Sequence, residues 1–237
     1  SGAITLATTG CGDHQDVATE DNLVVRAARA LQAQQRSSQG VDITLQKRIP
    51  MGGGLGGGSS DAATTLLALN QLWQCNLSPA ELAAMAVQLG ADVPVFLAGR
   101  TAWAEGVGEK LTPVELPEAW YLVLQPDCHV ATGEVFSHEQ LTRNSSPIKM
   151  AAFFHGDSRN DCQELVRGLY PEIDKALNFL EFHGEARLTG TGACVFTQFR
   201  NREQAEAVQR QLSGQWRSIV ARGINTSPVH NVLQLPV

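Results

Sequence analysis

Pro50-Met51-Gly52-Gly53-Gly54-Leu55-Gly56-Gly57-Gly58-Ser59-Ser60 lies between two strongly patterned stretches. Six of the seven residues from Gly52 to Gly58 are glycine. Such a run is entropically costly to order and packs nothing, so it is either a flexible linker or a backbone that must approach something closely. The flanks favour the second reading. Val41-Asp42-Ile43-Thr44-Leu45-Gln46-Lys47 alternates apolar and polar residues, the period of a strand. Ala62, Ala63, Leu66, Leu67, Leu69, Leu72 and Trp73 recur at helical spacing, and Ser59 or Ser60 suits the N-cap. Strand, glycine loop and helix start together bring backbone N–H groups and a positive dipole end to one point, which is an anion site. The alternative is a bare structural turn.

The 237 residues suit one large domain or two smaller ones sharing a cleft. A net charge of −6, spread without long runs, argues against nucleic acid as the main partner, since a phosphate backbone needs a basic face. No apolar run approaches the roughly 20 residues that span a bilayer. The opening residues carry no leader pattern. Cys11, Cys75, Cys128, Cys162 and Cys194 are odd in number, scattered and never spaced C-x-x-C. This fits a reducing cytoplasm without a disulfide framework or structural zinc. The histidines show no His-x-x-x-His pair, so a transition-metal site has no support either. The chain opens on Ser1 with an edge strand, Gly2 to Thr8, that begins in mid-fold, and the expectation is that an N-terminal segment is absent from it.

Thr9 to Glu20 reads as a polar loop, and Asn22 to Gln35 as a helix capped by Thr19 or Asp21. Ser78-Pro79-Ala80-Glu81 has a serine cap, a proline in the first turn and an acid after it, and starts a helix running to Leu89. Ala91 to Leu97 reads as a turn into a short apolar strand. Ala98-Gly99-Arg100 then folds it into a hairpin with Thr101 to Glu105. Trp120 to Gln125 is a buried strand, and a helix starts near Thr132. Asn160 to His183 is helical and broken at Pro171. Arg187 to Phe196 is a second glycine turn that feeds a strand to Phe199. Arg202 to Leu212 is a helix, and Trp216 to Ile224 is a last strand. The second half therefore reads as an α+β layer, with helices on one face of a mainly antiparallel sheet. The expected division is residues 1–115 and 116–237, near Pro113 and Pro117.

Three phosphate loops compete for the glycine stretch. A Walker A loop needs Lys after its last glycine, and Ser59-Ser60-Asp61 stands there instead. The dinucleotide pattern G-x-G-x-x-G is met literally, but six glycines meet it almost automatically. Its confirming acid, about 20 residues on, could only be Glu81, inside a capped helix start. The third pattern is P-x-x-x-G-L-G-S-S-x-A-A. Pro50, Gly54-Leu55-Gly56, Ser59-Ser60 and Ala62-Ala63 match it with two extra glycines.

On this loop the chain resembles the GHMP kinases (galactokinase, homoserine, mevalonate and phosphomevalonate kinases). Leu89-Gly90-Ala91-Asp92-Val93-Pro94-Val95-Phe96 and Leu188-Thr189-Gly190-Thr191-Gly192-Ala193-Cys194-Val195-Phe196 resemble its second and third motifs. Glu20-Asp21-Asn22-Leu23 and Glu105-Gly106-Val107-Gly108-Glu109 are also similar. The likeness runs from about residue 2 to about residue 230. The fuller glycine string is nearest to the branch acting on a cytidine diphosphate-linked methylerythritol. The resemblance implies an α+β, two-domain fold with its active site in the interdomain cleft, and an ATP- and Mg²⁺-dependent transfer of phosphate to a substrate hydroxyl.

It also implies roles for particular residues. Asp92 faces the substrate hydroxyl as the catalytic carboxylate; taken alone, it is a turn residue bonding nearby N–H groups. Pro50, Met51, Gly52, Gly53, Gly54, Leu55, Gly56, Gly57, Gly58, Ser59 and Ser60 hold the nucleotide, with Asn22 and Lys47 near adenine; their plain readings are caps, a turn and a strand-end cation. Val107, Thr189, Gly190, Thr191 and Gly192 line the substrate side. Thr132 and Phe136, otherwise ordinary helix residues, line the cytidine pocket, where Phe136 would stack on the base. His14 reads as a solvated loop histidine. The family's opening P-x-x-K-x-N strand and G-Y-H stretch have no match here, so about fifty residues are expected to be missing. The lysine would go with them, leaving either a fragment or an inactive, nucleotide-binding remnant. A dinucleotide-dependent oxidoreductase stays as a further alternative.

Overall fold

The structure, a computed structural model, describes residues 2–10, 19–34, 38–154, 156 and 158–235. The chain forms two compact units. The first comprises Ser1–Pro50, Gly56–Leu116 and Asn225–Val237; the second comprises Met51–Leu55 and Pro117–Ile224. The glycine loop is thus divided at Gly56, and the C-terminal segment counts with the first unit, unlike the contiguous division read from sequence. Asn225 shows why the tail belongs there. Its side chain brackets Leu116, accepting from the Leu116 N–H at 3.0 Å and donating to the Leu116 carbonyl at 2.9 Å.

In the first unit, β1 (Ile4–Gly10) and β2 (Val41–Lys47) pair in parallel, Ile4 opposite Val41 and Gly10 opposite Lys47. Helix α1 (Leu23–Gln34) connects them and buries Val24, Val25, Ala27, Ala28 and Leu31. Of the loop expected from Thr9 to Glu20, Thr9 and Gly10 belong to β1, and residues 11–18, His14 among them, lie outside the described residues. Helix α2 (Gly57–Leu72) packs Ala62, Ala63, Leu66, Leu67 and Leu69 into the same core. Each large side chain there is worth about 1.5–3 kcal/mol relative to exposure. Helix α3 (Pro79–Leu89) carries a complete capping box. Glu81 N–H donates to the Ser78 hydroxyl, and Ser78 N–H donates to the Glu81 carboxylate at 2.8 Å. The Ser78 hydroxyl and then its N–H hold the Glu81 carboxyl below its ordinary range.

Two expectations fail in the next stretch. Val93–Ala98 is a helix, α4, and not a strand. Pro94 fits its first turn, and Gly99 at φ 66° stops it. A six-residue apolar run has no period long enough to separate strand from buried helix. The hairpin is also displaced. β3 (Ala102–Glu105) pairs antiparallel with β4 (Lys110–Pro113) around the Gly106–Glu109 turn, not with the stretch before Gly99.

The second unit is built on a four-stranded antiparallel sheet. Its strands are β5 (Trp120–Gln125), β6 (Ala186–Leu188), β7 (Val195–Phe199) and β8 (Arg217–Arg222), in the order β6-β7-β5-β8. Helices α5 (Thr132–Ser137), α6 (Met150–Phe154), α7 (Gln163–Leu169), α8 (Pro171–Glu181) and α9 (Arg202–Gln209) complete it. Leu122 and Leu124 of β5 share one buried cluster with Ile173, Leu177 and Leu180 of α8 and with Ala205 and Val208 of α9. Pro171 separates α7 from α8 as the sequence requires. The short strand β6 and helix α6 were not foreseen.

Candidate active site

Helix α2 begins earlier than its serines suggest. Gly56 holds the N-cap position at φ 67°, and Ser59 and Ser60, expected as caps, lie inside the first turn without a side-chain cap bond. Only glycine takes that left-handed conformation without strain, and a Cβ at Gly56 would stand 2.8 Å from the Phe96 ring. The first intrahelical bond runs from Ser60 N–H to Gly56 C=O at 2.9 Å. The N–H groups of Gly57, Gly58 and Ser59 precede it and are the donors an anion would meet.

Phe96 belongs to α4, so that helix is seated against the start of α2. Asp92 stands at the front of α4, exposed, and its carboxylate makes no capping hydrogen bond. The bonded turn carboxylate of the plain reading is therefore not formed. Gly108 packs on the Asp92 turn, since a Cβ there would come 2.2 Å from the Ala91 carbonyl. Val107 beside it is 67% exposed, and its N–H donates to the Glu109 carboxylate at 2.7 Å. Glu109's own N–H, and then that of Val107, hold the Glu109 carboxyl below its ordinary range.

On the other side of α2, Lys47 is half-buried, and its Nζ lies 2.6 Å from Asp61 Oδ2. This ion pair ties the end of β2 to the first turns of α2, across the base of the loop. Asn22, and not Thr19 or Asp21, caps α1, accepting from Val24 N–H at 3.0 Å. The next residue, Leu23, lies beside Gly58.

In the second unit, Met51–Leu55 is stitched to the third motif. Ala193 N–H donates to Gly52 C=O at 3.1 Å, and Cys194 N–H to Gly53 C=O at 3.3 Å. The buried Thr189 hydroxyl lies 2.6 Å from Gly53 C=O and 2.9 Å from Cys194 C=O. Gly54 passes so close that a Cβ would fall 2.2 Å from the Thr189 carbonyl, at φ 67°. The hydroxyls of Thr191 and Thr132 are 3.0 Å apart, which joins the motif to the start of α5. Phe136 is 58% exposed on α5, and Met51 is 45% exposed.

Four neighbours escaped the sequence reading. Asp61 lies inside the quoted motif, yet nothing in the pattern pairs it with Lys47. Phe96 falls in the apolar run whose pattern suggests a strand. The exposed His129 ring stands against Gly52, 3.3 Å from a Cβ placed there, and Asn160 reaches the third motif from a loop. Contacts this distant in sequence leave no local period to read.

The description "GHMP kinases N terminal domain" matches residues 22–100, and "GHMP kinases C terminal" matches residues 139–218. The chain belongs to the GHMP kinase family, a family of small-molecule kinases. Over 215 residues it is 56% identical to 4-diphosphocytidyl-2-C-methyl-D-erythritol kinase of Pseudomonas aeruginosa (strain UCBPP-PA14), covering 91% of this chain and 76% of that one. The kinase of the same name from Chromohalobacter salexigens is 51% identical over 224 residues, covering 92% and 75%. Among solved structures, a 4-(cytidine 5'-diphospho)-2C-methyl-D-erythritol kinase superposes with a TM-score of 0.74 at 31% identity, over 93% of this chain and 83% of that one. Homoserine kinase from Cytophaga hutchinsonii, at TM-score 0.66 and 19% identity over 95% and 83%, shares the fold.

Proposed function

We propose that this chain transfers the terminal phosphoryl group of ATP to a hydroxyl of 4-diphosphocytidyl-2-C-methyl-D-erythritol, a step in non-mevalonate isoprenoid precursor synthesis. The observation that carries the reading is the 56% identity, over 91% of the chain, to a kinase named for that compound. The local geometry supports it. Phosphoryl transfer asks little covalent chemistry of a protein and much positioning and charge stabilisation. The N–H groups at the start of α2, with the Ser59 and Ser60 hydroxyls, supply donors for the outer phosphates. The Met51–Leu55 backbone, braced by Thr189 and Cys194, supplies a fixed wall. Asn22, Lys47 and Met51 stand on the adenine side. Thr132 and Phe136 take the cytosine end, and Val107 with Thr189 to Gly192 lines the rest of the substrate path.

Asp92 orients the substrate hydroxyl and accepts its proton as the oxygen bonds to the γ-phosphorus and the bridging P–O bond to ADP breaks. A carboxylate with no capping bond is available for that work. The donors on the loop are oxygens, the chemistry that suits Mg²⁺. Among the described residues no group of three or more His, Cys, Asp or Glu could hold a metal. Mg²⁺ would be held chiefly by the nucleotide phosphates, with Ser59 and Ser60 as the oxygen donors to test, and it would neutralise the charge developing on the transferred group. No helix among the described residues is long and apolar enough to cross a membrane. The odd number and scattered spacing of the cysteines fit a reducing compartment, and on that ground we place the protein in the cytoplasm.

The test is ADP release on mixing protein, ATP, Mg²⁺ and the methylerythritol compound. With the family's opening lysine strand supplied ahead of Ser1, the expected result is ADP that depends on the compound and is lost in Asp92→Asn; without that strand little or none is expected. Release without the compound, or none above background from this chain joined to the opening lysine strand of the Pseudomonas aeruginosa relative, would overturn the assignment.

A further inference from the structure

We propose that Asn160 is a positioning residue for the phosphate loop, acting through the third motif; this rests on reading Gly52 to Ser60 as that loop. Asn160 precedes α7 and is half-buried. Its Nδ2 donates to Gly190 C=O at 2.7 Å and to Leu188 C=O at 3.1 Å, while its Oδ1 accepts from Cys162 N–H at 2.9 Å. Two carbonyls on one end and an N–H on the other fix which way the amide points.

The two carbonyls belong to the residues on either side of Thr189. Asn160 therefore clamps the backbone before and after the hydroxyl that lies 2.6 Å from Gly53 C=O. Gln163 holds the same segment from the next turn, its Oε1 accepting from Leu188 N–H at 2.8 Å. Thr189 is aimed at the loop by groups whose bonds fall on the third motif. A short loop that must place glycine carbonyls and N–H groups to within a few tenths of an ångström depends on that aim, because misplacement at a phosphate site is costly.

Asn160→Asp is the informative change. It keeps size, and it keeps the acceptor for Cys162 N–H, but it turns the two donor contacts into oxygen facing oxygen. ATP with Mg²⁺ is titrated calorimetrically onto this chain as wild type, Asn160→Asp, Asn160→Ala, Thr189→Val and the Asn160→Asp/Thr189→Val double variant. Thermal unfolding without nucleotide is recorded for each.

The expected result is a loss of ATP affinity of about tenfold for Asn160→Asp, the scale of one or two lost hydrogen bonds. The double variant should lose scarcely more than Thr189→Val alone, since both act on one contact. Unchanged affinity in a folded Asn160→Asp, with only its unfolding temperature lowered, would overturn the proposal, and so would losses that add fully. If Asn160→Ala does not fold, Asn160→Asp decides. Failure of the wild type to bind ATP would instead remove the phosphate-loop reading itself, and the inference with it.

Discussion

The Thr189 hydroxyl lies 2.6 Å from the Gly53 carbonyl, across 136 residues of sequence. It joins the first glycine motif to the third within one unit, and both groups are buried. Valine matches threonine in shape and lacks the hydroxyl. Gly53 C=O would keep its bond from Cys194 N–H at 3.3 Å, so it would not be left wholly unpaired. Thr189→Val is therefore expected to cost about 1–2 kcal/mol, with Thr189→Ser recovering most of it. Urea midpoints of the three proteins check this. A serine variant as weak as valine would point to the methyl group and not the hydroxyl.

Gly54 makes a sharper case. It combines φ 67° with a Cβ position 2.2 Å from the Thr189 carbonyl, and backbone cannot step aside cheaply. Gly54→Ala should lose about 1–2 kcal/mol for the left-handed conformation alone, with the clash added to that. ATP binding should fall with it. Gly133, the second residue of α5, has nothing within 4 Å of its Cβ position and no positive φ. Gly133→Ala should stabilise by about 0.4–1 kcal/mol, chiefly by restricting the unfolded chain. Denaturation curves for the pair give opposite signs if the loop is as tightly fitted as described.

The contrast between those glycines shows what the sequence could and could not disclose. β2, α1 and α3 were legible because each carries its own signal: alternation in Val41–Lys47, a buried face in α1, and the Ser78–Glu81 capping box before α3. The antiparallel layer from Trp120 onward was legible for the same reason. Val93–Ala98 was not, because six apolar residues bounded by turn signals fit a strand and a buried helix equally. The start of α2 was misplaced at the serines because a glycine N-cap gives no side-chain signal. The family was legible in the motif around the glycine run, where Pro50, Ser59-Ser60 and Ala62-Ala63 fix the pattern that the glycines alone leave open. The loop's partners Asn160, His129 and Phe96 were not, since contacts between distant segments have no period. Lys47 was noted, but its pairing with Asp61 is a matter of three-dimensional register alone.

Cys194 gives a prediction in pH. It is fully buried, and desolvation, aided by the nearby Cys128 thiol, pushes its thiol up to about 11 from an ordinary 9.0. In the unfolded chain the proton leaves near the ordinary value, while in the folded chain it stays on. The contribution to stability is therefore complete below pH 9 and is lost as pH rises towards 11. Its size is on the order of 2–3 kcal/mol. Urea midpoints between pH 8 and pH 10.5 should fall, and Cys194→Ala should flatten part of that slope while lowering the starting point. An unchanged slope in the alanine variant would assign the loss to other groups.

Asp92 separates chemistry from folding most cleanly. It heads α4 but gives that helix no side-chain cap, and it is exposed. Most carboxylates at a helix start accept an N–H bond, and their loss costs stability. Here there is no such bond to lose, so Asp92→Asn should move the unfolding free energy by no more than about 0.5 kcal/mol, the range of ordinary surface changes. The effect on phosphoryl transfer should be large. Asparagine keeps the shape but cannot take the proton of the attacking hydroxyl, and positioned bases contribute about 10²–10⁴-fold. The loss should fall on kcat with the KM for ATP little changed, because the proposed function assigns the nucleotide to the loop and the start of α2. Steady-state ADP release at saturating substrate, read beside thermal unfolding of the same preparation, tests both halves. A variant that unfolds early would make Asp92 a structural residue, and one with normal kcat would move the search for the base elsewhere in the site.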